Sequence, residues 1–84
     1  MTDLERAREF FKKDVYATET TGIVIEEVKG NYVRCSLKIT EKHKNAGGRV
    51  MGGAIYTMAD FIFAVAANFD KPLTVTAVSQ ISYI

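Results

Sequence analysis

Between Gly53 and Phe69 the chain reads GAIYTMADFIFAVAANF, a run of helix formers and aromatics that puts apolar side chains on every face of the expected helix. A helix of that kind has no wet side and must be surrounded by other elements. One residue breaks the pattern. Asp60 falls in the middle of the run, and an ionised carboxylate among apolar neighbours is costly unless it is paired, hydrogen-bonded or left facing a wet cavity.

The rest of the chain offers modest material to wrap that helix. Thr2 and Glu5 have the capping-box spacing, and Leu4, Ala7 and Phe11 recur at intervals of three and four, with Phe10 widening the face. These residues predict a short amphipathic helix over 3–13. A β-branched run from Ile23 to Val28 then meets a Lys-Gly-Asn turn. Beyond it Val33, Cys35, Leu37 and Ile39 alternate with Arg34, Ser36, Lys38 and Thr40, which predicts a hairpin with one buried and one wet face. Cys35 falls on the apolar side and reads as a small buried hydrophobe. Residues 41–52 are rich in Lys, Gly and polar residues and predict a loop of unusual backbone freedom. After Asp70-Lys71-Pro72, an acidic turn, the tail LTVTAVSQISYI predicts a strand with Val75, Ala77, Ser79, Ile81 and Tyr83 on one side.

The expected class is therefore α+β, in one domain over 1–84, since 84 residues leave no room for a second. Three strands can hardly wrap a helix apolar all round, so its core is expected to be completed by oligomerisation or, if the chain is a fragment, by a longer chain. The formal charge of +1, spread over interleaved acids and bases, provides no basic field for nucleic acid or an anionic membrane. The longest apolar run is far shorter than a bilayer span, and the charged amphipathic N-terminus lacks a signal peptide's apolar core. With a single cysteine as well, these features make the cytoplasm the expected compartment. His43 is the only histidine, and the spacing of the acids offers it no metal-ligand partners, so no metal site is expected. As a loop residue it is expected to be structural or to stand at the edge of a site.

A glycine pair, Gly52 and Gly53, opens the long helix. It lets a ligand approach the backbone, where first-turn amides and the helix dipole favour developing negative charge. Gly53 and Asp60 lie seven residues apart on nearly one face, roughly 10 Å along the axis. One carbonyl carbon cannot touch both. If two such helices run antiparallel across a two-fold axis, the Asp60 of one copy faces the Gly53 amide of the other. The pattern thus implies a homodimer with composite sites.

His43-Lys44-Asn45, Gly48, Met51-Gly52-Gly53, Tyr56 and Met58-Ala59-Asp60 carry a resemblance. They resemble the pattern HxNxxGxxHGGxxFxLAD of hotdog-fold acyl-CoA thioesterases of the phenylacetate-pathway (PaaI-like) type. The resemblance implies a long helix wrapped by a curved antiparallel sheet, dimers or tetramers, and hydrolysis of an acyl-CoA thioester without metal, nucleotide or other cofactor. It implies Asp60 as the catalytic carboxylate, Gly53 as the amide donor to the thioester carbonyl, and Asn45 as a residue that positions water or substrate. Gly52, Met51, His43 and Tyr83 would border the substrate. Met51 stands where the family pattern has histidine, and it can neither donate a hydrogen bond nor take a proton. Family members also run on through two further strands. The alternatives are hydration or dehydration of an acyl thioester, which the missing histidine disfavours, and a non-catalytic hotdog binding or structural module or an inactive truncated fragment.

Overall fold

The computed structural model describes residues 1–74, 79 and 80. Among them the chain forms a small α+β arrangement, with two α-helices and a two-stranded antiparallel sheet.

Helix α1 (Asp3–Phe11) begins at the expected capping box. The Glu5 amide donates to the Thr2 hydroxyl at 3.1 Å and the Thr2 amide to the Glu5 carboxylate at 2.9 Å, a bond that holds the Glu5 carboxyl below its usual range. Ala7 and Phe11 turn inward, whereas Phe10 lies on the exposed side with the Lys13 ammonium 4.8 Å from its ring. The helix ends at Phe11 rather than at 13, because the chain swings straight into a segment the sequence pattern does not reveal. Tyr16–Thr21 form a π-helical turn, closed by the Gly22 amide donating to the Ala17 carbonyl at 3.1 Å. Gly22 then adopts a φ of +92°, a left-handed conformation available cheaply to glycine alone, and the wide turn stops there.

Strands β1 (Val24–Lys29) and β2 (Tyr32–Ser36) make the expected hairpin. Lys29 pairs with Tyr32, and Gly30 at the first central position has a φ of +60°, as a type II′ turn requires. The register slips between Ile25, opposite Cys35, and Glu27, opposite Arg34, so Glu26 is the extra residue of a β-bulge. That slip changes which residues face inward. Ile23 and Ile25 are buried, and after the bulge Val28 rather than Glu27 packs against the core. The Ile25 carbonyl accepts from Arg8 Nε at 2.7 Å, and the Ser36 hydroxyl donates to Glu26 at 2.7 Å. Ser36, expected on the wet face, is thereby half-buried. Cys35 is half-buried on the apolar side, where burial, reinforced by the charge of Glu26, pushes its thiol pKa up. Ile39, expected inward, is exposed because β2 has already ended at Ser36.

Helix α2 (Gly52–Asn68) matches the expected long helix to within a residue at each end. Phe61 is 2% exposed and Val65 fully buried, and they meet Ala7, Phe11, Ala17, Ile23 and Ile25 in one core. The Phe11 and Phe61 rings stand edge to face, 6.0 Å apart. The rest of the helix is not wrapped by the described residues. Within the described residues only one stripe is covered, and Met51, Ile55 and Phe63 are about half exposed. The strand expected over 73–84 falls largely on residues 75–78 and 81–84, outside the described residues.

Asp70, read from sequence as an ordinary turn acid, closes this end of the molecule. Arg6 donates to both of its oxygens, at 3.2 and 2.6 Å, while also reaching Asp3 at 3.0 Å and lying 4.9 Å above the Phe69 ring. The hydrogen bonds from Arg6 hold the Asp70 carboxyl below its usual 3.8. The ion pair therefore ties α1 to the C-terminal end of α2.

Two outcomes follow. Phe61→Ala is expected to cost about 3–5 kcal/mol in urea unfolding, a large part of the roughly 5–15 kcal/mol that holds a small domain folded. Because the Asp70 pKa is lowered on folding, its contribution is complete well above 3.8 and is lost as pH falls through the lower folded value. The acid limb of the stability profile is expected to flatten in Asp70→Asn, measured by thermal melts below pH 5.

Candidate active site

The loop after β2 is more ordered than its glycines imply. Glu41–His43 form a single 3₁₀ turn, and the buried His43 ring joins three parts of the chain. Its Nδ1 accepts from the Thr40 amide at 3.0 Å, so that nitrogen carries no proton. Nε2 therefore carries it and donates to the Thr21 carbonyl at 2.6 Å. The His43 carbonyl in turn accepts from the Met51 amide at 2.7 Å, directly before α2. His43 thus ties the end of the π-helical segment, through its ring, to the entry of the long helix, through its backbone carbonyl.

Asn45 organises the remainder of the loop. Its Oδ1 accepts from the amides of Gly47 and Arg49, both at 3.0 Å, and its backbone amide donates to the Arg49 carbonyl at 2.7 Å. Lys44 bridges to Val50, and Gly48 takes a φ of +79° at the bend. Asn45 does not line either of the cavities beside α2 described below. The residue expected next to the reacting group is occupied in shaping the loop.

Gly52 opens α2 and Gly53 follows in its first turn. Met51, at the N-cap, supplies no side-chain hydrogen bond, and its carbonyl accepts from the Ala54 amide at 3.0 Å. A methyl group built on Gly53 would meet only the Met51 side chain, at 3.9 Å, so the backbone here is approachable. Thr57, one turn on, donates its hydroxyl to the Gly53 carbonyl at 2.7 Å.

Two cavities flank this side of α2. A smaller one, about 260 Å³, is lined by Gly53, Met51, His43 and Lys42 with Tyr16 and Thr57. A larger one, about 590 Å³, is lined by Asp60, Phe61 and Ala64 from the helix and by Asp14, Tyr16 and Ala17 opposite, with Thr57 again in the wall. Tyr16 and Thr57 line both, so the two spaces adjoin at these side chains and together run along α2 as a groove. The wall facing α2 is the π-helical segment and the residues leading into it. Asp60 is exposed in this groove, and its carboxylate makes no hydrogen bond or ion pair among the described residues. The acid in the apolar run carries no burial penalty in the single chain, because it faces solvent-filled space.

The structure thus brings Gly53, Met51, His43 and Asp60 to one groove, sets Asn45 apart from it, and leaves Tyr83 outside the described residues. Sequence reasoning missed Asp14, Tyr16 and Thr57. Thr57 was accessible in principle, since it lies between Gly53 and Asp60 at helical spacing. Asp14 and Tyr16 were not, because the π-helical turn that carries Tyr16 and the irregular link before it that carries Asp14 have no periodic signature. Among the described residues no group of three or more His, Cys, Asp or Glu side chains converges as a metal site would require. No helix among them is long and apolar enough to cross a membrane.

Two curated proteins are similar to this chain. One, from Archaeoglobus fulgidus and named "Putative esterase", is 28% identical over 81 residues, covering 96% of this chain and 53% of the relative. Another of the same name, from Deinococcus radiodurans, is 33% identical over 64 residues, 76% of this chain and 44% of the relative. The chain spans about half the length of the curated relatives it matches. No family model and no solved structure matches it.

His43→Ala would leave the Thr40 amide and the Thr21 carbonyl without their partner. It is expected to cost about 1–3 kcal/mol, read by urea unfolding, with faster amide exchange at Thr40 and Met51.

Proposed function

We propose that the chain forms the helix-bearing part of a hotdog-type acyl thioester hydrolase, acting on a coenzyme A thioester at a site shared between two copies. The observation that carries this reading is the placement, on one face of one helix, of an approachable Gly53 amide and of a carboxylate, Asp60, without an ion pair or hydrogen bond among the described residues, opening on adjoining cavities. The similarity to two esterase-named proteins supports hydrolysis as the reaction class.

In this mechanism the thioester carbonyl oxygen rests against the Gly53 amide at the positive end of α2, which stabilises the charge that develops there. Gly53 and Asp60 of one helix remain roughly 10 Å apart, so the carboxylate at the reacting carbon comes from the facing copy. Asp60 then takes a proton from water as the water oxygen bonds to the carbonyl carbon. Alternatively its own oxygen bonds there to give an anhydride, which water opens. In either route the carbon–sulfur bond breaks and the thiolate leaves, protonated by the acid or by solvent. Lys42, in the wall of the Gly53 compartment, adds a cation suited to the anionic carrier of such a substrate. The exposed apolar flank of α2, with Met51, Ile55 and Phe63, is consistent with a second copy packing there. The reading includes a cytoplasmic homodimer or tetramer with no cofactor.

A non-catalytic hotdog binding module is the second reading. Met51 favours it, since the side chain before the glycine pair offers no proton or hydrogen bond.

Free thiol release from a panel of acyl-CoA thioesters tests the proposal. Asp60→Asn is expected to lower turnover by at least about 10²-fold while leaving the solution mass unchanged. Gly53→Pro removes the amide where a helix's first turn tolerates proline and is expected to cost about 10²–10³-fold in kcat. Gly53→Ala keeps the amide, meets no clash, and is expected to retain most activity. Full activity in Asp60→Asn would overturn the assignment.

A further inference from the structure

The two cavities along α2 adjoin at two residues with different freedom. Tyr16 and Thr57 line both compartments, one from the π-helical wall and the other from the helix. Thr57 is fixed, its hydroxyl bonded to the Gly53 carbonyl at 2.7 Å. Tyr16 is 66% exposed, and its hydroxyl has no hydrogen-bond partner among the described residues. The backbone beneath it is anchored on both sides. Ala17 is buried, the Asp14 carbonyl accepts both the Thr18 amide and the Thr18 hydroxyl at 2.9 Å, and the Thr21 carbonyl is held by His43. A large ring that can turn about its side-chain bonds therefore stands on a rigid base where the two cavities adjoin.

We infer that Tyr16 is the specificity-determining residue of this groove, a gate that confines the acyl group to the Gly53 compartment and so selects short acyl chains. The inference rests on the hydrolase reading and adds its substrate class. With the carbonyl at Gly53, an acyl chain running along α2 meets Tyr16 and Thr57 before it reaches the Asp60 compartment. The compartment on the near side, about 260 Å³, is smaller than the roughly 300–1,000 Å³ common for small-molecule pockets. The space beyond it, about 590 Å³, has an apolar floor of Ala17, Phe61 and Ala64 that would accept a longer chain if the ring were absent. Each additional methylene admitted to an apolar pocket shifts selectivity by about 10-fold or more, so the ring's presence is readable as a cut-off in chain length.

The test compares kcat/KM for butanoyl- and octanoyl-CoA in the wild type, Tyr16→Ala and Tyr16→Phe, with a far-ultraviolet melt of each variant. The wild type is expected to prefer butanoyl. Tyr16→Ala is expected to raise the octanoyl-to-butanoyl ratio at least 10-fold, and Tyr16→Phe, which keeps the ring, to leave the ratio within twofold of the wild type. A ratio unchanged in Tyr16→Ala, or a wild type that prefers octanoyl, overturns the gate while leaving hydrolysis standing. If no thioester is turned over, the hydrolase reading fails, and calorimetric binding of butanoate and octanoate reads the gate separately. Gain of octanoate binding in Tyr16→Ala then supports Tyr16 as the gate, and absence of that gain overturns it.

Discussion

Burial of Phe61 and Val65 along a single stripe of α2 orients everything else in this chain. The two side chains are four residues apart, one above the other on the helix surface, and they enter a core built by Phe11, Ala17, Ile23 and Ile25. With about 100° of rotation per residue, fixing Phe61 inward turns Asp60 to the flank, along with Gly53, Thr57 and Ala64. The carboxylate is therefore neither buried nor free on an open surface. It is aimed into a groove by the packing of its neighbour.

The opposite wall of that groove depends on a less common element. A π-helical turn is rare because its hydrogen-bond geometry is poor, and it persists only where surrounding contacts enforce it. Here those contacts are the burial of Ala17 and Thr21, the left-handed Gly22 and the bond from His43 to the Thr21 carbonyl. His43 thereby has a positional role despite lying in the wall of a cavity. Its two ring nitrogens are both engaged with backbone groups, which leaves neither available to exchange protons with a ligand. In the proposed mechanism this burden falls on Asp60 and the Gly53 amide instead.

On the other flank of α2, Leu37, Ile39, Ile55, Met58 and Ile62 border an apolar space of about 350 Å³. The described residues thus cover about one side of a helix whose composition calls for cover all round. The proposed two-fold pairing of antiparallel helices uses the Gly53 and Asp60 side of α2, so cover for this apolar flank, about half a turn away around the helix, has to come from a separate contact.

Local chemistry accounts for what the sequence by itself determined. The capping box at Thr2 and Glu5, the Gly30 hairpin turn, the inward Cys35 and the extent of α2 each follow from residues within a few positions of one another, where propensity and periodicity act directly. Tertiary structure alone decided the rest. At the Glu26 bulge the Ile25 carbonyl is taken by Arg8, seventeen residues away, and Asp70 became a clamp only when folding brought Arg6 to it across 64 positions. The same holds for the groove. Gly53 and Asp60 announce themselves by helical spacing, but Tyr16 reaches that space from a π-helical turn and Asp14 from the link before it, neither with a periodic signature, and Asn45 is drawn from it by two loop amides. A short-range pattern specifies which backbone forms; which side chains meet across a cavity depends on contacts between segments distant in sequence, and those are fixed only when the core closes.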